Sequence, residues 1–130
     1  MALTKSGWRP AGRNDRVGIH TVRMSIAVHN LLHSPGDSAH GEEIKTIFSS
    51  SGVRIEQIVS HGQPSPDGFW YDQPDPEWVV LLKGSATLLV EGQSAVELSE
   101  GDYLLIPAKV RHRVDRVSAD ALWLAVHCVG

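Results

Sequence analysis

The segment Gly68–Gly84, "GFWYDQPDPEWVVLLKG", holds the side chains with the clearest chemical potential in this chain of 130 residues. In an extended strand successive side chains point to opposite faces, so Trp70 and Asp72 are expected on one face and Phe69 and Tyr71 on the other. Glu77 heads the apolar run "EWVVLLK". If it faces inward with Val79 and Leu81, it is a carboxylate in a hydrophobic wall, and burying such a charge is costly unless it finds a partner. His112, which opens "HRVDRV" and shares a face with Val114, is the candidate partner. A carboxylate beside an imidazole serves either proton transfer or metal coordination.

The elements that must position these residues are short strands. "EIKTIFS" and "VRIEQIVS" flank "SSG" as a hairpin, and "HGQPSPDG" is a loop. "FWYD" reads as a short aromatic strand. "QPDP" cannot sit in a central ladder, because proline has no N–H to donate. "EWVVLLK", "SATLLVEG" and "SAVELSEG" follow, the last two across a turn at Gly92 and Gln93, and "DYLLIP", "HRVDRV" and "ALWLAVHCV" complete the series. About eight strands at roughly ten-residue spacing, with little helical signal, predict an all-β sandwich or barrel.

Two spacings resemble the signature motifs of the cupin superfamily. The first motif, G(X)5HXH(X)3–4E(X)6G, is matched at its end by Glu77 and Gly84. The second, G(X)5PXG(X)2H(X)3N, is matched by Gly101, Pro107 and His112 in "GDYLLIPAKVRH". The segment around "SPDGFWYDQ" and "EWV" is also similar to that of small, single-domain bacterial cupins of undefined activity. The resemblance covers about residues 43 to 127 and implies an all-β, cupin-type double-stranded β-helix, a jelly-roll barrel. With a four-residue gap before Glu77, the paired histidines of the first motif fall at Trp70 and Asp72. Lys109 replaces the glycine of PXG, and Arg116 stands at the terminal asparagine.

What the resemblance leaves is a ligand set of Asp72, Glu77 and His112 for one divalent metal. Its oxygen-rich character favours Fe(II) or Mn(II), with Zn(II) or Ni(II) as further options. His127 and His61 are reserve ligands, and Trp70 and Tyr71 are expected in the pocket wall, although parity turns Tyr71 away from Asp72 unless the strand is bulged. The reaction implied is dioxygenase, lyase or isomerase chemistry on a small organic molecule. A metal-free sensing module and a metal-free acid–base isomerase or epimerase are the alternatives. The same residues also have structural readings: Asp72 as a turn cap, Glu77 paired with Arg111 or Arg113, and His112 as a satisfied core histidine.

Composition bounds these readings. The chain has 42% hydrophobic and 21% charged residues, an ordinary globular balance. It contains no apolar run of the roughly 20 residues that a membrane-spanning helix needs. One cysteine, Cys128, excludes an intrachain disulfide, and the cytoplasm is the expected compartment. Residues 1–23 carry five basic side chains against Asp15, a local +4, whereas the remainder carries −7. We expect residues 1–23 to be a disordered or non-native extension and residues 24–130 a single domain. Without aromatic–basic interleaving, the charge does not read as a nucleic-acid arm. No membrane partner is expected, and a homodimer is, with "EIKTIFS" as a sheet edge to be covered.

Overall fold

A computed structural model describes residues 25–33 and 41–129; the extension expected at residues 1–23 lies outside them. Eight strands follow one another: β1 (Glu43–Ser49), β2 (Val53–Val59), β3 (Glu77–Lys83), β4 (Ala86–Val90), β5 (Val96–Leu98), β6 (Tyr103–Ile106), β7 (His112–Val117) and β8 (Leu122–Cys128). Each contains β-branched or aromatic residues, and glycine or proline interrupts the chain between several of them, as their conformational restrictions require. All pairings are antiparallel. One sheet has the order β1-β2-β8-β3-β6 and the other β5-β4-β7, which is the two-sheeted jelly-roll barrel expected from the sequence.

The expected hairpin forms with β1 paired to β2, and the turn after "VEG" forms between β4 and β5, where Gly92 takes a φ of 85°. The expected strand "FWYD" does not form. Tyr71 instead makes one isolated bridge to His112, because the prolines that follow deny the segment a continuing ladder.

Between the sheets, Val79 and Leu81 of β3, Leu88 of β4, Ile106 of β6 and Trp123 and Ala125 of β8 form the core with Leu98 and Val117. Trp123 buries its ring and donates its indole N–H to Ser60 Oγ at 3.2 Å, so its one polar atom is satisfied. β3 lies between β8 and β6, and its first residue is thereby held at one end of this apolar interior.

Gly84 closes β3 for a steric reason. Its φ is +87°, and a Cβ there would come within 2.9 Å of the Ala121 Cα and also meet Ser118 Oγ. Lys109 occupies the same left-handed region, with φ 65°, at the place where the second motif carries glycine. Its backbone N–H donates to the Gln73 carbonyl at 2.7 Å. The turn before β7 is therefore tied to the segment that follows Tyr71.

Candidate functional site

One end of the barrel opens into a cavity of about 200 Å³. Its apolar wall comes from Ile58, Val79, Leu88, Ile106, Val114 and Trp123, and its polar groups are Glu42, Arg54, Glu56, Tyr71, Gln73, Glu77, His112 and His127. The volume lies below the roughly 300–1,000 Å³ of drug-sized pockets, so the occupant it suits is small.

Glu77 and His112, expected as partners, do meet. They are 8% and 5% exposed, and Glu77 Oε1 lies 4.0 Å from His112 Nε2. Gln73 sits between them, its amide Nε2 donating to Glu77 Oε1 at 2.9 Å and approaching His112 Nε2 at 3.4 Å. His112 Nδ1 is 3.0 Å from the Val110 carbonyl oxygen, which can only accept, so Nδ1 carries the proton. Nε2, the other ring nitrogen, is turned toward the Gln73 amide and the Glu77 carboxylate.

A second pair stands in the same cavity. His127 Nε2 lies 2.9 Å from Glu56 Oε1 and donates to it, while Arg54 Nε lies 3.3 Å from Glu56 Oε2. The register of the sheet explains the cluster: His127 is the Cα partner of both Glu77 on β3 and Arg54 on β2, and Glu56 stands two residues on from Arg54 on the same face. His127 Nδ1 is buried without a hydrogen-bond partner. A polar atom left in that state is costly.

Electrostatics at the open side follow from these carboxylates. Burial pushes the Glu42 carboxyl above its usual 4.5, and the charge of Glu77 adds to the effect even though much of the Glu42 side chain is exposed. Tyr71 is held above its usual 10.0, first by burial and then by Glu42 and Glu77. At neutral pH its phenol therefore keeps its proton and acts as a donor.

The expected parity of residues 70–73 is corrected. Tyr71 N donates to His112 O at 2.7 Å and His112 N to Tyr71 O at 3.1 Å. Residues opposed in this way in an antiparallel pair share a face. Tyr71 therefore turns inward with His112, Gln73 follows it by period two, and Trp70 and Asp72 turn out. Asp72 is exposed and does not line the cavity. Trp70, expected in the wall, instead packs beside the Arg111 guanidinium, 5.5 Å from the ring centroid. His61 lies elsewhere, 3.9 Å from Glu43 and beside a separate hollow lined by Lys83 and Asp120. His127 is inside, engaged with Glu56.

These placements bear on the expected metal. Of Asp72, Glu77 and His112, the last two reach the cavity, and among the described residues no group of three or more His, Cys, Asp or Glu is close enough to hold a metal ion. The residues present do not fit the expected three-ligand set. Gln73 occupies the space between the two remaining donors. Glu42, Arg54 and Glu56 were not foreseen as site residues. The sequence signal for the last two is their shared parity with Ile58 on β2.

With this geometry in hand, the chain belongs to the cupin domain family, whose model matches residues 57–127. Among solved structures it is similar to a protein of Ralstonia eutropha JMP134 provisionally described as a mannose-6-phosphate isomerase. The two share 39% identity over 81% of this chain and 100% of the other, with a TM-score of 0.76. An RmlC-like cupin from Desulfovibrio desulfuricans matches at 20% identity over 80% of this chain and 97% of its own, with a TM-score of 0.65. KdgF from a Halomonas species matches at 17% identity over 78% and 93%, with a TM-score of 0.63. The last two likenesses concern the fold. No match was found among curated proteins. Among the described residues no helix is long and apolar enough to cross a membrane.

Proposed function

We propose that this cupin is an acid–base isomerase that moves a proton between adjacent carbons of a small hydroxy-carbonyl compound, without a metal in the step. The observation that carries the reading is that two histidine–carboxylate pairs, Glu77 with His112 and Glu56 with His127, open into one cavity. Such a reaction needs a base to take the proton from the carbon beside the carbonyl, and a donor to protonate the carbonyl oxygen as the enediol forms. The enediol then collapses by gaining a proton at the former carbonyl carbon and losing one from the neighbouring hydroxyl. Glu77, with its second oxygen free of the Gln73 bond, is assigned as the base. Tyr71 is assigned as the oxygen-side donor, since its phenol stays protonated. The neighbour from Ralstonia, described as an isomerase, supports the reaction class.

The test is exchange of the substrate's carbon-bound proton with solvent deuterium, followed by proton NMR. D-mannose serves as probe, with wild type and Glu77→Gln compared under chelator. Exchange by wild type and its loss in the variant are expected; equal exchange by both would remove Glu77 from the role.

A second reading retains a divalent metal. It is favoured by His112, whose Nδ1 bond to Val110 O orients the ring as in a metal-bound imidazole, with Gln73 the side chain that would have to withdraw from Nε2. We also infer a homodimer through the β1 edge, where Ile44, Ile47 and Phe48 are exposed. Light scattering of wild type and Phe48→Lys tests it: a dimer that the lysine dissociates is expected, and a monomeric wild type contradicts it.

A further inference from the structure

We propose that the cavity selects an uncharged polyhydroxy carbonyl compound, a free sugar or a molecule of that kind, and rejects phosphate esters. The inference rests on the reading of this cavity as the substrate site and adds what the substrate must be. It also departs from the substrate in the Ralstonia neighbour's description.

The cavity is negatively charged. Three carboxylates, Glu42, Glu56 and Glu77, line the cavity against one guanidinium, Arg54, a formal charge of −2 with both imidazoles neutral. Among the described lining residues Arg54 is the one Lys or Arg, and its Nε is already turned to Glu56 at 3.3 Å. A phosphate dianion is recognised by clustered Arg side chains or by free backbone N–H groups at a helix start. The cavity is lined by one arginine, and the described fold is built from strands.

The polar groups of the cavity also match hydroxyl and carbonyl groups. Glu77, whose second oxygen is free of the Gln73 bond, presents an acceptor, which hydroxyl groups satisfy and phosphate oxygens do not. Tyr71 presents a donor for a carbonyl oxygen. A sugar also carries C–H faces that suit Val79, Leu88 and Trp123.

Isothermal titration of the full chain with D-mannose, mannose 6-phosphate and inorganic phosphate decides it. Mannose is expected to bind at least about tenfold more tightly than its phosphate ester, because the ester places like charges together. Inorganic phosphate is expected not to compete. Glu42→Gln is expected to raise the ester's affinity relative to that of mannose several-fold, as removing one charge of the repelling set requires. An ester bound as tightly as the sugar, or binding of neither, overturns the proposal. Mannose binding without solvent exchange of its carbon-bound proton leaves the selection standing and removes the acid–base role, so the two failures are distinguishable.

Discussion

Tyr71 lies directly opposite His112, joined to it by two backbone hydrogen bonds of 2.7 and 3.1 Å, with the two rings stacked at 5.5 Å. This single bridge sets the facing of every side chain from Trp70 to Gln73, and with it the composition of the site. A register one residue different would bring Asp72 inside and exclude Gln73.

The register yields opposite expectations for two substitutions to histidine. Gln73→His places an imidazole between Glu77 and His112 and should create a three-donor site that takes Zn(II), Ni(II) or Co(II). Trp70→His places it outward beside Arg111 and should bring no gain. Isothermal titration of each variant with the same metal is the check. A gain in Trp70→His with none in Gln73→His would mean that the segment is turned the other way.

How much of this was legible in the sequence differs between elements. Strands with turn residues at their ends were legible because β-branched runs and Gly or Pro breaks are local signals. Glu77 and His112 were legible because the motif spacings fix them to strand starts. "FWYDQ" was not, since aromatic residues occupy both parities and hydrophobicity cannot choose a face. The choice is made by a backbone bridge to a residue far along the chain, which no local pattern encodes. With a three-residue gap the first motif does place its histidine pair at Tyr71 and Gln73, and the structure follows that spacing. Arg54 and Glu56 were hidden for a related reason: β2 carries isoleucine on both faces, at Ile55 and Ile58, so its alternation does not say which side is interior.

Glu77→Gln and Glu56→Gln test the two pairs separately. The first removes the assigned base but keeps shape, so solvent exchange should fall about hundredfold or more, while stability changes by about 1 kcal/mol. The second leaves the base and loosens His127 and Arg54, for a drop between about ten- and hundredfold. Exchange rates and thermal midpoints measured together separate loss of chemistry from loss of fold. A variant that unfolds at the wild-type midpoint and exchanges at the wild-type rate would show that its pair has no part in the reaction.

Glu42 gives a pH dependence of stability with a definite sign. Its carboxyl is held above 4.5 by burial and by Glu77, so the native state retains this proton to higher pH than the unfolded chain does. Between the unfolded value and the raised one, the native state binds more protons, and stability contributed by this group falls as pH rises through that window. Glu42→Gln lacks the effect. The midpoint of the variant minus that of wild type should therefore grow as pH is taken from acid to neutral, and a difference that shrinks would contradict the cause assigned to the shift.

The central claim is that Glu77 as base and Tyr71 as donor, in a cavity shared with His112, Glu56 and His127, transfer a proton without a metal. Its most direct measurement is the rate of deuterium incorporation into D-mannose by chelator-treated protein, before and after readdition of Mn(II), Fe(II) or Zn(II). The account predicts exchange that survives chelation, does not rise with any added metal, and disappears in Glu77→Gln. Exchange abolished by chelator and restored by one of these metals would contradict it.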